Sequence, residues 1–315
     1  MSDIVTITVN PSLDLSTEVE KIIPVAKLRG TTQRHDPGGG GINVARVINR
    51  LGGDVSAIYP VGGVIGDLVR KLLEEEGVAS QTFRIKGETR QDFFVHEIST
   101  DQQYRFILPG PRLVDSEWQE CLKLIAALEP FPRFVVASGS LPRGVPDDFY
   151  ARVARIAKQR GAMMILDTAG PALAAAVSEG LDMIKPNLRE MRDLSGVEAT
   201  DELEWEAAAR EIVQALRVRI VALTMGHLGA ALVTRNQVLR AHRLPVTPLS
   251  AVGAGDSFLG ALVLRLAQGA DIVDCFRYAM AAGAAALLHP GTDLCRPDDI
   301  KRLAEQVDME VMEVA

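Results

Sequence analysis

Asp256 lies between a glycine-rich turn and a long apolar helical pattern, in the segment SAVGAGDSFLGALVLRL of residues 250–266. A carboxylate at a helix start can cap the first turn by accepting bonds from backbone N–H groups. Capping does not require Gly253 and Gly255, however, and glycines let backbone N–H groups approach a phosphoryl group closely. Two interpretations of Asp256 follow: a helix cap, or a general base that takes the proton of a hydroxyl attacking phosphorus.

Two further glycine-rich turns, PGGGGINVAR (37–46) and TMGHLGA (224–230), are also expected between a strand end and a helix start. Each one alone is equally typical of tight-turn geometry. Three such turns together favour a phosphate-containing ligand, because helix N-termini bind anions. The sequence contains no G-x-x-x-x-G-K-[ST], G-x-G-x-x-G or H-E-x-x-H motif, which argues against a P-loop enzyme, a standard dinucleotide dehydrogenase and a zincin.

Asn187 and Glu190 form a second candidate pair, in the segment IKPNLRE of residues 184–190. Here a strand pattern gives way to a helix pattern, and residues three apart on a helix share one face. The two side chains would then either lie on a solvated face or organise a hydrated Mg²⁺ through their oxygen atoms.

Strand and helix patterns alternate along most of the chain and would position these residues. Short β-branched runs predict strands, for example at 4–9, 55–62, 133–138, 162–167 and 218–224, and apolar residues spaced three and four apart predict helices between them, for example at 42–53 and 148–161. Such alternation predicts an α/β fold with a mostly parallel, doubly wound sheet flanked by helices. Ligands of such folds bind beyond the carboxyl ends of the strands.

Two regions break this alternation. Residues 12–36 show no helix pattern, and QDFFVHEIST (91–100) with QYRFILPG (103–110) predicts a hairpin. We therefore expect one domain over residues 1–315 with a small β-sheet lid inserted from about 12–36 and 86–108. The lid carries many apolar residues, which predicts a homodimer through it. From Gly253 to about Gln306 the chain is expected to be almost all helix.

The composition limits the partners. With 315 residues, 47% of them hydrophobic, the chain can bury a large core. Its net charge of −7 includes no basic block, so neither nucleic acid nor a membrane surface is an expected partner. The cysteines Cys121, Cys275 and Cys295 form no disulfide or zinc pattern, and no signal or spanning segment is evident. A soluble cytoplasmic protein acting on small molecules is predicted.

The segments VGAGDSFLGAL, GGGGINVAR, KPNLRE and TMGHLGA together resemble the ribokinase/PfkB superfamily of sugar kinases over almost the whole chain. Within it, NPSLDLS (10–16), KLRG (27–30), TRQDFFVHE (89–97) and QYRFILPG are most similar to the minor, PfkB-type phosphofructokinases. The resemblance implies a ribokinase-like fold and a homodimer joined through the lid. It also implies that ATP, with Mg²⁺, phosphorylates a phosphorylated ketohexose, here fructose 6-phosphate at its 1-hydroxyl.

The resemblance also implies residue roles. Asp256 would be the base, at a catalytic turn of Gly253, Ala254 and Gly255. The sugar hydroxyls would be held by Asp14, Gly39 and Asn43, and the sugar phosphate by Lys27, Arg29, Arg90 and Ser140 in preference to Ser138. The nucleotide would be bound by Lys185, Asn187, Thr224, Gly226 and Gly229. Mg²⁺ would be organised through water by Asn187 and Glu190. Some members bind K⁺, for which the matching segments contain Ser250, Val252, Ala286, His289 and Gly291.

Two alternatives are kept. A sister kinase would act on tagatose 6-phosphate or fructose 1-phosphate, but such kinases tend to read GGKG where residues 38–41 are GGGG. A non-catalytic sugar or nucleotide sensor could use the same fold, because architecture does not determine function. The presence of Asp256 with its complete glycine turn favours the enzyme.

Overall fold

The computed structural model describes residues 2–215, 218–291 and 293–314. Its strands are β1 (Ile4–Ile7), β2 (Ser12–Val19), β3 (Arg34–Gly38), β4 (Val55–Gly62), β5 (Ala79–Ile85), β6 (Arg90–Glu97), β7 (Gln102–Phe106), β8 (Phe134–Ser138), β9 (Met163–Asp167), β10 (Met183–Ile184), β11 (Ile220–Thr224), β12 (Ala230–Thr234), β13 (Gln237–Ala241) and β14 (Met309–Glu313). Its α-helices are α1 (Gly40–Arg50), α2 (Gly63–Glu75), α3 (Asp115–Ala126), α4 (Phe149–Gln159), α5 (Gly170–Val177), α6 (Leu188–Ser195), α7 (Glu202–Ala215), α8 (Ala254–Ala267), α9 (Ile272–Ala286) and α10 (Pro297–Ala304).

The main sheet has ten strands in the order β5-β4-β1-β8-β9-β10-β11-β12-β13-β14. Neighbouring strands are parallel from β5 to β11, and β12, β13 and β14 add an antiparallel edge. The prediction of a mostly parallel α/β sheet is confirmed. The stretch predicted to be almost all helix, from Gly253 to about Gln306, contains α8, α9 and α10. After it, the short sequence MEVME becomes the strand β14 by pairing along β13.

Helices cover both faces of the main sheet and bury a hydrophobic core on each side. Val136 of β8 belongs to the core under α1, α8 and α9, and its neighbour Val135 belongs to the core under α4 and α7. The two valines separate in this way because successive side chains of a strand point to opposite faces. A strand buried on both faces therefore has a continuous apolar sequence, as the FVVA segment of β8 does.

A second sheet of four strands, in the order β3-β2-β6-β7, lies outside the main sheet. This small sheet confirms that part of the predicted fold, and its strand pairs are mixed: β2 is antiparallel to β3 and parallel to β6, and β6 is antiparallel to β7. Asp14 of β2 lies opposite both Asp36 and Asp92, so three carboxylates share one face of the small sheet.

No described helix has the length and apolar character needed to cross a membrane. Cys121, Cys275 and Cys295 are buried free thiols.

Candidate active site

Asp256 is the third residue of α8, and its side chain does not cap that helix. The N-cap is Gly253, in a left-handed conformation (φ +74°). The carboxylate instead accepts a hydrogen bond at Oδ2 from Nδ2 of Asn43, on α1, at 2.8 Å. Oδ1 has no hydrogen-bond partner among the described residues. This geometry contradicts the helix-cap interpretation and leaves one carboxylate oxygen free.

The position of Asp256 is fixed by the packing of α8 against α1. Beyond the first turn α8 is buried, and Leu259 and Leu262 are fully inaccessible to solvent. Gly260 lies against Val47 of α1, where an added Cβ would come within 2.8 Å of a Val47 methyl carbon. The close approach that this glycine allows keeps the two helices together. The Asn43–Asp256 contact is therefore held by two packed helices.

The pKa of Asp256 is raised to about 6, mainly by desolvation and also by the nearby Asp167 carboxylate. The hydrogen bond from Asn43 and the positive charges of Lys185 and Arg105 act in the opposite direction. At neutral pH Asp256 is then ionised yet more basic than an ordinary aspartate. A general base works best when its pKa lies near the operating pH.

The turn before Asp256 forms an anion cradle. The first backbone bond of α8 runs from Ser257 N to Gly253 O at 2.8 Å, so the N–H groups of Ala254, Gly255 and Asp256 have no helical acceptor. A Cβ on Gly255 would lie 3.4 Å from Nζ of Lys185, so the glycine leaves the space between the cradle and that ammonium open. Backbone donors, a helix dipole and a cation thus converge on one place.

The carboxyl ends of neighbouring parallel strands supply the charged residues around Asp256. Asp167 ends β9, and its carboxylate lies 3.1 Å from Nζ of Lys185, the residue that follows β10. Ser138, at the end of β8, donates a hydrogen bond to Asp167 Oδ2 at 3.1 Å. Burial alone would lower the pKa of Lys185, but the carboxylates of Asp167, Glu190 and Asp256 raise it above the usual value. Lys185 is therefore a buried cation that keeps its charge.

A cavity of about 520 Å³ opens over these residues and is lined by Asp256, Asp167, Glu190 and Ser140, among others. Asp167 was missed in the sequence, although an acid that ends a predicted parallel strand, as in AMMILD, is the signal that would have identified it. Ser140 lies on this cavity, and its Oγ accepts a hydrogen bond from Asn10 Nδ2 at 3.2 Å.

Asn187 and Glu190 form a capping box at the start of α6, which neither the solvated-face nor the magnesium interpretation of the sequence predicted. Asn187 Oδ1 accepts a hydrogen bond from Glu190 N, and Glu190 Oε2 accepts one from Asn187 N, both at 2.9 Å. The box leaves Glu190 Oε1 available beside the cavity that Asp167 and Asp256 also line. Burial raises the pKa of Glu190, and the Asp167 charge adds to this.

This donor set fits a hydrated Mg²⁺. Four carboxylates line one cavity, those of Asp147, Asp167, Glu190 and Asp256. Magnesium prefers oxygen ligands, keeps several waters and uses substrate phosphates as partners. Among the described residues, no three His, Cys, Asp or Glu side chains are close enough to hold a metal ion by themselves.

The small sheet carries two of the residues predicted to bind the phosphosugar, Asp14 on β2 and Arg90 on β6. Asp14 is 4% exposed, and Ser12 Oγ donates a 2.7 Å hydrogen bond to it. The pKa of Asp14 is raised to about 6, mainly by burial and also by the charges of Asp92 and Asp36. Arg90 forms an ion pair with Asp92 at 2.8 Å. Asp36 and Asp92, which lie opposite Asp14, each form an ion pair with an arginine. Among the described residues, Asp14 forms no such pair.

Gly39 is the N-cap of α1, with φ +112°, and it joins the small sheet to the helix that carries Asn43. Lys27 and Arg29, in contrast, are exposed in the segment between β2 and β3. Neither makes a hydrogen bond or an ion pair with any described residue. The assignment of Lys27 and Arg29 to the sugar phosphate therefore stays a prediction.

A second cavity, of about 480 Å³, adjoins the other side of the α8 turn. Four of the predicted nucleotide residues line it: Asn187, Thr224, Gly226 and Gly229. Its apolar wall was not predicted and includes Leu244, Val246, Phe258, Met280 and Leu287. Part of that wall comes from the irregular segment 242–253, whose sequence has no helix or strand periodicity from which its position could be predicted. The rest comes from α8 and α9, whose apolar residues are equally typical of a hydrophobic core.

Two of the three glycine turns differ from the predicted strand-to-helix geometry. TMGHLGA leads from β11 through a single-turn 3₁₀ helix (Gly226–Leu228) into β12, which is antiparallel to β11. VGAGDS does start a helix, but it follows the irregular segment after β13 and not a strand end. These turns were misassigned because glycine specifies a tight turn without specifying the element on either side of it.

The predicted potassium segments lie against each other. Ser250 Oγ lies 3.4 Å from the carbonyl oxygen of Gly291, and it also accepts a hydrogen bond from the N–H of Val252 at 3.2 Å. His289 follows α9, which ends at Ala286, and its ring lies 2.9 Å from Asp299. Any contribution of His289 to a cation site would therefore come from its backbone carbonyl.

A free carboxylate oxygen beside an anion cradle, between a polar cavity and an apolar one, defines a class of protein: an enzyme that transfers a phosphoryl group between two substrates. The chain belongs to the pfkB family of carbohydrate kinases, because residues 4–299 match that family.

Relatives with known names agree with this assignment. ATP-dependent 6-phosphofructokinase isozyme 2 from Mycobacterium tuberculosis is 43% identical over 302 residues, which cover 96% of this chain and 89% of the relative. The crystal structure of phosphofructokinase-2 from Escherichia coli in complex with potassium superposes with a TM-score of 0.92 at 38% identity, covering 97% of this chain and 99% of the other. A 1-phosphofructokinase from Xanthomonas campestris is more distant, at 31% identity with 96% of each chain covered.

Proposed function

We propose that this protein transfers the terminal phosphoryl group of ATP to the 1-hydroxyl of fructose 6-phosphate, giving fructose 1,6-bisphosphate and ADP. The observation that carries the proposal is the free Oδ1 of Asp256 beside the α8 cradle, at the junction of the two cavities. The choice of acceptor is supported by the higher identity to 6-phosphofructokinases than to the 1-phosphofructokinase.

In this mechanism the acceptor hydroxyl oxygen attacks the γ-phosphorus, and its proton passes to Asp256 Oδ1. The bond between the γ-phosphorus and the bridging oxygen breaks, and ADP leaves with that electron pair. The N–H groups of Ala254 and Gly255 and the ammonium of Lys185 stabilise the negative charge on the transferred group. Magnesium, held through water near Asn187 and Glu190, would supply further neutralisation of phosphate charge when bound.

The sugar would lie between the small sheet and α1. Asp14 and Asn43 would accept and donate hydrogen bonds to its hydroxyls, beside the close backbone approach at Gly39. Its 6-phosphate would bind Arg90 and Ser140, because a guanidinium is suited to phosphate oxygens. The adenosine would occupy the apolar cavity beside Thr224 and Gly226, since such a cavity favours a flat aromatic base.

A panel of acceptors tests the function. ADP release is measured with fructose 6-phosphate, fructose 1-phosphate, tagatose 6-phosphate and unphosphorylated sugars, and we expect fructose 6-phosphate to give the highest kcat/KM. A higher value for either alternative phosphosugar would assign the sister activity instead. Binding of ligands without ADP release would indicate a sensor. Repeating the assay with tetramethylammonium in place of K⁺ tests the proposed potassium site at Ser250, Val252, Ala286, His289 and Gly291.

We also propose a homodimer through the outer face of the small sheet, the face opposite Asp14. Leu15, Phe93 and Phe106 lie side by side in one row across β2, β6 and β7. Phe93 and Phe106 are 39% and 52% exposed. Leu15 and Phe93 also line a cavity of about 460 Å³. A row of exposed aromatic residues of this kind is typical of an interface.

Sedimentation equilibrium of Phe106→Asp tests the dimer. The wild type is expected to sediment as a dimer and the variant as a monomer, because a buried unpaired carboxylate disrupts an apolar interface. Leu203→Asp is the matched control, since Leu203 is 64% exposed on α7, away from the small sheet, and it should leave the dimer intact. A monomeric wild type with full activity at assay concentration would contradict the proposal.

A further inference from the structure

The small sheet presents one more cation to the reaction site. Arg105 of β7 is exposed, and its guanidinium lies over the ring of Phe94 at 5.5 Å from the ring centroid. It makes no hydrogen bond or ion pair with any residue that the structure describes. Other arginines of the small sheet are paired with a carboxylate, as Arg90 is with Asp92 and Arg34 is with Asp36. An arginine held on an aromatic ring and left without an acid is available to a ligand.

The register of the strands places Arg105 on the face of the small sheet that carries Asp14. Phe94 lies opposite Arg105 across the β6–β7 pair, and Ser16 lies opposite Phe94 across the β2–β6 pair. Ser16 and Asp14 are two residues apart on one strand, so their side chains share a face. Arg105 therefore faces the sugar cleft and not the outer, apolar row of the sheet.

Along the strands, Arg105 lies toward α8 and away from the sugar-phosphate end. The sugar-phosphate end of the small sheet is the end at Arg90. Arg90 Nη2 donates a hydrogen bond to the carbonyl oxygen of Asn10, and Asn10 Nδ2 donates one to Ser140 Oγ. At the other end Gln103, two residues from Arg105, accepts a 3.2 Å hydrogen bond from Ser250 Oγ.

Further contacts in the row of Arg105 agree with this position. Arg34, in the same row, lies 3.3 Å from Asp293. A Cβ on Gly291 would lie 3.2 Å from Ser16 Oγ. This end of the small sheet is thus docked on the segments that flank the α8 turn.

The electrostatics agree with the geometry. The positive charge of Arg105 acts to lower the pKa of Asp256, across the cleft, and also that of Asp92 on the neighbouring strand. The guanidinium is therefore within electrostatic reach of the proposed base as well as of the small sheet.

We infer that Arg105 is a further catalytic residue, which binds oxygens of the phosphoryl group during its transfer from the side opposite the α8 cradle. This inference rests on the proposed function. The acceptor oxygen forms its bond to phosphorus, the bond to ADP breaks, and the proton goes to Asp256, as above. Arg105 neither gives nor takes a proton. Its guanidinium offsets the charge that accumulates on the equatorial oxygens, with the α8 N–H groups and Lys185 on the other side.

Arg105→Gln tests the inference by separating turnover from binding. We expect kcat to fall by about 10²-fold, while KM for the phosphosugar and Kd for ATP change by less than threefold. Binding of the transition-state mimic, ADP with Mg²⁺, tetrafluoroaluminate and phosphosugar, should weaken by a comparable factor. Arg105→Lys should recover part of both losses, because it keeps the charge but not the planar fork.

Two other variants serve as comparisons. Arg90→Gln should raise KM for the phosphosugar, because Arg90 is proposed to bind the sugar phosphate. Arg235→Gln removes an exposed arginine in the turn between β12 and β13, near the β14 edge of the main sheet. This variant should change neither kcat nor KM for the phosphosugar.

The outcomes distinguish this inference from the proposed function. The panel of acceptors decides the function with the wild type, and Arg105→Gln is then assayed with the acceptor that the wild type prefers. A kcat within threefold of wild type would overturn the assignment of Arg105, and so would a raised KM with unchanged kcat, which would make it a ground-state sugar-phosphate ligand. If no acceptor is turned over, the proposed function fails. Equal binding of the mimic by wild type and variant would then overturn the inference independently.

Discussion

Asp256→Asn is expected to fold like the wild type and to lose catalysis by about 10²–10⁴-fold in kcat. The amide oxygen can replace Oδ2 as acceptor of the Asn43 hydrogen bond, but the amide nitrogen in place of Oδ1 cannot take a proton. Affinities for ATP and fructose 6-phosphate should change far less, since the proton is transferred only as the reaction proceeds. The measurements are kcat, equilibrium ATP affinity and the melting temperature.

The melting temperature distinguishes a base from a structural residue. The folded-state pKa of Asp256 is raised, so its ionised form at pH 7 costs folding free energy, and an uncharged amide avoids that cost. The Tm of the variant at pH 7 should therefore equal or exceed that of the wild type. Near-normal turnover would leave the mechanism without its base, and a lower Tm with lost activity would indicate that Asp256 acts through the fold.

The pH profile gives a second measurement of the same residue. Because a base must be deprotonated, kcat/KM of the wild type should fall as pH decreases through about 6, the pKa of Asp256. Asp14 titrates in the same range, since its pKa is also raised to about 6, so the acid limb should be steeper than one proton. Asp14→Asn should reduce that slope by one proton. A profile that is flat down to pH 5 would contradict both assignments.

Lys185→Met is expected to lower kcat by about 10²–10³-fold, because it removes the buried charge beside the α8 cradle, where the proposed mechanism has the phosphoryl group transferred. It should also destabilise the fold by about 3 kcal/mol, since Asp167 is 14% exposed in its side chain and would lose its ion-pair partner. ATP affinity should fall as well, as expected for a cation that contacts the nucleotide phosphates. The measurements are kcat, ATP affinity and the free energy of unfolding.

The double variant Lys185→Met/Asp167→Asn separates the two effects. Neutralising the orphaned carboxylate should recover much of the stability, because a buried charge without a partner is what destabilises the single variant. Catalysis should remain low, since the cation is still missing. Recovery of kcat to within threefold of wild type would mean that Lys185 acts only by neutralising Asp167.

Residues with a local signature could be predicted, and residues defined by the approach of distant segments could not. The sequence around Asp256 predicts a helix start with a glycine turn, and the order of strands and helices predicts where it lies. The partner that excludes the cap interpretation, Asn43, is 213 residues away along the chain. The edge strands β12 to β14 were missed because short strands gain most of their stability from pairing, which no single segment shows.

The α8 turn also has a consequence for inhibitor design. Ala254 and Gly255 line the apolar cavity, and Asp256, the next residue, lines the polar one. The two sites are thus separated by a single peptide unit with no side chain at its glycine. A bisubstrate ligand, with a purine and a sugar phosphate joined by a short anionic bridge, would have to span only this one peptide unit. Its second half would then bind at high effective concentration, so its affinity would far exceed that of either half.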